Sequence, residues 1–379
     1  MSGENKFKVG ILSMQRIFNY GSFLQGYGLK SILTELGCDV QFVDYHPGKC
    51  LVDSQEKTGI LRKLSKAAEV LRYKAPLPEK LKFIKYKKNY AANYFPLLGI
   101  DENMNYSPEL DLLVIGSDEV FNCVQDNTNV GFSPELFGNG QKAKSIISYA
   151  ASFGNTTIEK LENYHVDGTV GEWLGKFDAI SVRDANSGKI VKKLLAKEPV
   201  YNLDPVLAYD YAGKCSRIPD SVPESGYIIL YGYSGRFSAK ECAKIRKIAD
   251  KRNLKVFCIG GVQDCCDKFI DCDPFKVIAY FQHAEAVITD TFHGSILSVI
   301  THRNFVSIIR SSGYGNAEKL SDLLLRLKRT DRRLKRLSEL EELLFTPVDY
   351  TETDRIIAHE RKRTYDYLSR FIQRGRNED

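Results

Sequence analysis

No run of apolar residues in this chain approaches the length of a membrane span. The start, Met1 to Lys8, leads into Val9 to Ser13, which is too short and wrongly flanked for a signal peptide, so a cytoplasmic protein is expected. The nine cysteines are an odd number without framework spacing, which argues against a disulfide scaffold and fits free thiols in the cytosol. Cys265, Cys266 and Cys272 cluster, but the repeated short ligand spacings of a metal site are missing and no metal is expected. The excess of positive charge is small: 54 Lys and Arg against 48 Asp and Glu give +6. That suits anionic small substrates or an anionic membrane surface and does not argue for nucleic acid. There is no G-x-G-x-x-G fingerprint, so a dinucleotide cofactor is not indicated. No internal repeat and no low-complexity linker is found.

What is present is a soluble composition, 43% hydrophobic and 27% charged, over 379 residues, enough for two cores. Short apolar runs alternate with amphipathic stretches, the pattern of parallel α/β units. Phe7 to Met14 reads as a strand, Ser22 to Leu36 as a helix stopped at Gly37, and Val40 to Tyr45 as the next strand. Residues 1–207 form a first domain, with a helical insertion at about 48–105. Residues 208–345 restart the alternation as a second domain, and 346–379 form a basic terminal helix that could pack back on the first. Within the insertion, Leu81, Ile84 and Tyr90 recur at helical spacing and the lysines of 79–88 form a basic face. That face is either merely solvated or a surface for an anionic carrier.

In open α/β sheets, ligands bind where strands end and helices begin. Four such junctions carry polar chemistry. Asn19, Tyr20 and Gly21 follow the first strand, where a helix cap and a ligand contact are equally good readings. Gly116, Ser117 and Asp118 follow Asp111 to Ile115 and should face the same crevice. Arg183 ends a short strand; its guanidinium suits carboxylate or phosphate, or pairs with Asp184 or another local acid. The strand Ala286 to Ile288, the turn Thr289 to Gly294 and a helix from Ser295 place His293 beside backbone N–H groups at a helix start. Imidazole titrates near neutrality and can act as acid or base, although a lone histidine in an apolar setting is more often structural. Ser311 to Asn316 reads as a polar loop.

Taken in order, six stretches resemble the polysaccharide pyruvyl transferases. They are Asn19-Tyr-Gly-Ser-Phe-Leu-Gln25, Val114-Ile-Gly-Ser-Asp-Glu-Val-Phe-Asn122, Ser148-Tyr-Ala-Ala-Ser-Phe-Gly154, Ser181-Val-Arg-Asp184, Leu203-Asp-Pro205 and Thr289-Asp-Thr-Phe-His-Gly294. The resemblance implies two Rossmann-like domains facing a cleft, as in glycosyltransferases of the B type. It implies transfer of a pyruvyl group from phosphoenolpyruvate to two hydroxyls of a sugar in a cell-surface polysaccharide precursor, leaving a cyclic ketal and phosphate, with no cofactor. It implies acid catalysis by His293 and donor binding by Arg183; for that chemistry a carboxylate such as Asp118 or Asp290 could orient the histidine or accept a hydroxyl proton. Gly294 and Ser295, at the helix start, and Arg310 are expected to help hold the donor. Asn19, Tyr20, Gly21 and Ser117 are expected to line the acceptor side.

Many members of that family carry Arg two residues before the histidine, where this chain has Thr291. Arg310, Arg303, Arg236 or Lys319 are the candidates to replace it, and Asp290 is expected to cap the helix. The basic segment suggests a lipid-linked acceptor and peripheral contact with the inner membrane surface. A sugar-nucleotide glycosyltransferase of the same architecture, or a non-catalytic glycan-binding protein, stays open because fold does not fix function.

Overall fold

The computed structural model describes residues 6–52, 70, 72–310 and 317–378. The polar loop 311–316 and part of the insertion, 53–69 and 71, lie outside the described residues.

Two parallel sheets organise the chain. The first has the order β2-β1-β3-β4-β5-β6, with β1 Lys8–Leu12, β2 Asp39–Phe42, β3 Leu110–Asp118, β4 Ala143–Ala151, β5 Ser181–Val182 and β6 Val200–Tyr201. The second has the order β11-β10-β7-β8-β9, with β7 Tyr227–Tyr231, β8 Lys255–Ile259, β9 Lys268–Phe269, β10 Ala286–Thr289 and β11 Phe305–Ser307. Every pair is parallel, and the central strands β1, β3, β7 and β10 are buried almost throughout. Helices on both faces require this, and it explains why these strands read as continuous apolar runs rather than alternating ones. The result is two Rossmann-like domains facing each other across a cleft.

Most expected elements stand within a few residues of their sequence bounds, and the exceptions have physical causes. Residues 158–174 are two short helices, Ile158–Asn163 and Asp167–Leu174, because His165 takes a left-handed φ of 53° between them. The second sheet's edge strand β11 is only three residues long. The helix of the histidine stretch begins at Phe292, not Ser295, so His293 lies within its first turn.

The insertion contributes the helix Leu77–Leu98, which joins the two domains. Its buried side is Phe83, Tyr86, Tyr90 and Tyr94, packed on Tyr20 of the first domain and, through Phe83 and Tyr86, on Phe269 of the second. Leu81, expected on the apolar side, is 54% exposed. The basic face is mostly an interface as well. Lys82 donates to the Phe269 carbonyl at 2.7 Å, Lys87 to the Phe18 carbonyl at 2.8 Å, and Lys80 is buried against the Tyr73 carbonyl. Lys85 and Lys88 remain exposed, which leaves little of the continuous charged surface that the sequence suggested. Lysine stems cover apolar surface while their ammonium groups satisfy backbone carbonyls, so a run of lysines need not be a solvated face.

The last helix, Thr351–Glu378, returns to the first domain. Arg361 donates to the Leu207 carbonyl at 3.0 Å, Tyr367 to the Ser148 carbonyl at 2.8 Å, and Arg376 to the Gly37 carbonyl at 3.1 Å. No helix among the described residues is long and apolar enough to cross a membrane.

Candidate active site

The cleft lies where strands of both domains end. Asn19, Tyr20, Asp118, Glu119 and Arg183 line it from the first domain; Tyr233, Thr291, Phe292, His293 and Lys319 line it from the second.

The turn after β1 is fixed by Asn19, whose side-chain oxygen accepts from the Gly21 N–H at 2.8 Å and caps the helix Tyr20–Glu35. Its amide nitrogen donates across the cleft to the Tyr233 hydroxyl at 2.8 Å, so one residue both caps and bridges. Tyr20 is 1% exposed and sends its hydroxyl to the Cys272 carbonyl at 2.9 Å, which makes it chiefly an interdomain packing residue. Gly21 is required by proximity: a Cβ there would lie 2.2 Å from Nδ1 of His293. The second domain's histidine therefore rests against the bare backbone of the first domain's helix.

After β3 the backbone turns sharply. Gly116 has φ 121°, and a Cβ on it would lie 2.3 Å from the Tyr149 carbonyl oxygen. The Gly116–Ser117 peptide is cis, and Asp118 has φ 78°, a left-handed conformation that aspartate tolerates better than most residues. This turn sends Asp118 into the cleft, where it accepts from Ser22 at 3.0 Å and from Arg183 at 3.1 Å. Ser117 faces inward instead: it is 1% exposed and donates to Gln25 or Asp204 at 3.2 and 3.3 Å. It supports the cleft from behind.

Asp204 is the hub, a role that sequence reasoning did not assign. Its Oδ2 accepts from Arg183 at 2.7 Å and faces Nε2 of His293 at 3.5 Å, while Oδ1 accepts from the Val206 N–H at 3.0 Å. Burial works to raise its pKa, but His293, Arg183 and the backbone N–H outweigh burial and hold it at about 2. Asp118 is also held below the usual carboxylate range, since Arg183, His293 and Lys319 outweigh burial and the repulsion of Asp204. In the sequence Asp204 stands only as part of Leu203-Asp-Pro205, and in the structure it also caps the short helix Pro205–Ala208. Nothing in the sequence indicates that this short helix aims the other carboxylate oxygen across the domain boundary.

Arg183 is 5% exposed and is clamped between Asp204 and Asp118, with its guanidinium 4.6 Å from the Phe292 ring. Its partner is not Asp184, which caps the helix Ala185–Leu195 through the Ser187 N–H at 2.9 Å and accepts from Ser152 at 2.6 Å. Nε of Arg183 and Nε2 of His293 are buried without a hydrogen-bond partner among the described residues. Such atoms are rare in folded proteins and mark a place where a ligand can bond.

Around His293 two expectations change. The helix cap is Thr291, whose hydroxyl accepts from the Gly294 N–H at 3.0 Å. Asp290 does not cap; it is fully buried and accepts from Arg236 at 2.8 Å and Arg310 at 3.2 Å. Gly294 and Ser295 offer the cleft little. The Ser295 N–H bonds to the Thr291 carbonyl, the Ser295 hydroxyl meets Ser307 at 2.7 Å, and Gly294 packs on Thr289 so closely that a Cβ would clash at 2.1 Å. Arg310 is held by Asp290 and by Glu241 at 2.6 Å, behind the cleft wall. Arg303 is remote and donates to the Thr301 carbonyl at 3.3 Å. Of the cations considered in place of an arginine at position 291, Lys319 is the one that lines the cleft, buried and paired with Glu119. Among the described residues no group of three or more His, Cys, Asp and Glu side chains is placed to hold a metal.

A two-domain α/β protein with a histidine, two carboxylates and two buried cations converging in its cleft has the layout of a group-transfer enzyme. The sequence model of one family, polysaccharide pyruvyl transferase, matches residues 19–312, which contain every one of these groups except Lys319. The chain belongs to the polysaccharide pyruvyl transferase family, whose name denotes a transferase acting on polysaccharide. No curated protein matches the sequence. Among solved structures the chain is similar to a glycosyltransferase of kitacinnamycin, at 11% identity and TM-score 0.47 over 98% of this chain and 100% of that one. It is also similar to LpCGTa in complex with UDP, at 10% and 0.46 over 97% and 99%. A third is the UDP-GlcNAc 2-epimerase of Methanocaldococcus jannaschii in complex with UDP-GlcNAc and UDP, at 7% and 0.46 over 93% and 99%. At these scores the likeness carries no argument about chemistry.

Proposed function

We propose that the protein transfers the pyruvyl carbon skeleton of phosphoenolpyruvate to two hydroxyls of a sugar in a polysaccharide precursor, as a ketal. The observation that carries this reading is the placement of His293, held against Gly21 and faced by the ionised Asp204, beside Arg183 and Lys319 in one cleft. Protonation of the methylene carbon turns it into a methyl group and leaves positive charge on the neighbouring carbon. One sugar hydroxyl adds there, the C–O bond to phosphate breaks, and the second hydroxyl closes the ring. Of the two hydroxyl protons, one ends on the methyl group and one on phosphate.

His293 is the group placed to donate the proton, with the Asp204 carboxylate 3.5 Å from its Nε2. Asp118 is a weak base, because Arg183, His293 and Lys319 hold it ionised against the effect of its burial. It suits orienting a hydroxyl and stabilising the cationic carbon better than strong proton abstraction. The donor's phosphate substitutes for Glu119 at Lys319, and its carboxylate takes the open edge of Arg183.

The test is a reaction of the full chain with phosphoenolpyruvate and a panel of glycan precursors, beside the same precursors with sugar nucleotides. Phosphate release together with a new ketal methyl signal by proton NMR, lost in His293→Gln, is expected. Release of UDP from a sugar nucleotide with no use of phosphoenolpyruvate would replace this reading with glycosyl transfer.

A further inference from the structure

The cleft does not end at Asn19. A second groove opens from it, and Ile17, Phe18, Asn19, Asn127 and Tyr233 line both. Nine large apolar side chains are exposed among the described residues, and four of them, Phe18, Met104, Tyr106 and Tyr233, line this one groove. Elsewhere such residues stand singly, apart from Leu77 and Leu81 on one turn of a helix, which is ordinary; the concentration of four here is not.

The rings are built as platforms. Tyr106 is backed by His46 at a centroid distance of 4.0 Å and an interplanar angle of 12°, and Phe18 by Tyr90 at 5.4 Å and 20°. Each remains 40% exposed. The loop that carries Met104 and Tyr106 is pinned from beneath. Asp44 accepts from Arg16 at 2.6 and 2.8 Å and from the Asn105 N–H at 2.9 Å, and Arg16 also donates to the Asp101 carbonyl at 2.9 Å. Rigid aromatic faces bind at low cost in conformational freedom.

The charge of the groove narrows the ligand. Its charged side chains are Arg16, Lys87, Asp44 and Asp126, two of each sign, and Arg16 and Asp44 neutralise each other. An anionic donor gains nothing there. Apolar ring faces beside planar amides such as Asn127 and Asn129 suit a neutral pyranose, which offers a C–H face for stacking and paired hydroxyls for hydrogen bonds.

We propose that this groove is a second saccharide subsite, in which Tyr106 and Phe18 stack a neutral sugar of the acceptor adjacent to the one held in the cleft. The inference rests on the reading of the protein as a polysaccharide-directed transferase. It makes the acceptor an oligosaccharide rather than a single sugar.

The full chain is tested on a glycan array carrying neutral and acidic mono-, di- and oligosaccharides, as wild type, Tyr106→Ala and Tyr106→Phe. Binding to neutral di- or oligosaccharides is expected, about tenfold weaker in Tyr106→Ala and restored in Tyr106→Phe, with an unchanged far-UV circular dichroism spectrum. Binding that is indifferent to Tyr106→Ala, confined to monosaccharides or acidic glycans, or undetectable for every neutral glycan would overturn the subsite. Phosphate release from phosphoenolpyruvate is followed in parallel. Donor use with Tyr106-independent glycan binding removes the subsite and leaves the pyruvyl reading; Tyr106-dependent binding without donor use does the reverse.

Discussion

Nε2 of His293, on the first turn of a second-domain helix, lies 3.5 Å from Oδ2 of Asp204, which ends the first domain's sheet region. The same carboxylate oxygen takes the Arg183 guanidinium at 2.7 Å. One buried atom thus meets both the imidazole and a guanidinium of the cleft, and it reaches the imidazole across a domain boundary. In the proposed reaction the relative position of the two domains is therefore part of the chemistry.

Asp204→Asn keeps the shape and removes the charge. Turnover should fall by about 10² or more, because the acid loses its counter-charge. Stability should also depend on pH in a defined direction. The native pKa of Asp204, about 2, lies below its ordinary value, so its contribution is fully present above pH ~4 and fades as pH falls towards 2. On the order of 2 kcal/mol is at stake, since each pKa unit is about 1.4 kcal/mol. Denaturant titrations of both proteins should show a gap at pH 7 that narrows below pH ~4; a gap that widens in acid would contradict the assignment.

Gly21→Ala tests the contact between the domains without touching charge. In an exposed helix interior this change stabilises by about 1 kcal/mol. Here the new methyl group would meet the imidazole at 2.2 Å. A large loss of kcat with no more than a few degrees' change in Tm is expected. Unaltered kcat would mean that the imidazole can move aside and still work.

Thr291→Ala and Asp290→Asn should differ in size. The first removes a helix cap, worth ~1 kcal/mol. The second leaves Arg236 and Arg310 without their buried counter-charge, which costs about 3–5 kcal/mol. Urea unfolding of the two variants ranks them; equal losses would contradict the cap assignment at Thr291.

Lys319 and Glu119 should act on donor binding in opposite directions. Lys319→Met is expected to raise the Kd for phosphoenolpyruvate about tenfold or more. Glu119→Gln is expected to lower it, by removing the carboxylate with which the phosphate competes. Isothermal titration with phosphoenolpyruvate gives both values, and a shift in the same direction for both would place the phosphate elsewhere.

Much of this molecule was legible in local sequence. The apolar run Phe7 to Met14 reads as a strand and holds β1, Lys8–Leu12, and Ser22 to Leu36 reads as a helix stopped at Gly37, close to the observed Tyr20–Glu35 with Gly37 left-handed at φ 78°. Strand ends and helix starts locate a ligand cleft in any open α/β sheet, so His293, Arg183, Asp118 and Asn19 could be named from spacing and resemblance. What tertiary structure decided was pairing. Asp204 stood in the sequence only as part of Leu203-Asp-Pro205 and is the hub; Asp290 looked like a cap and is the counter-ion of two arginines; of the lysines of 79–88, which looked like one basic face, Lys82 ties the insertion to the second domain. Local pattern is set by a residue's chain neighbours, a few positions away. A carboxylate's partner is set by where two separately folded domains bring their side chains, and Coulombic attraction between buried charges acts through space and not along the chain.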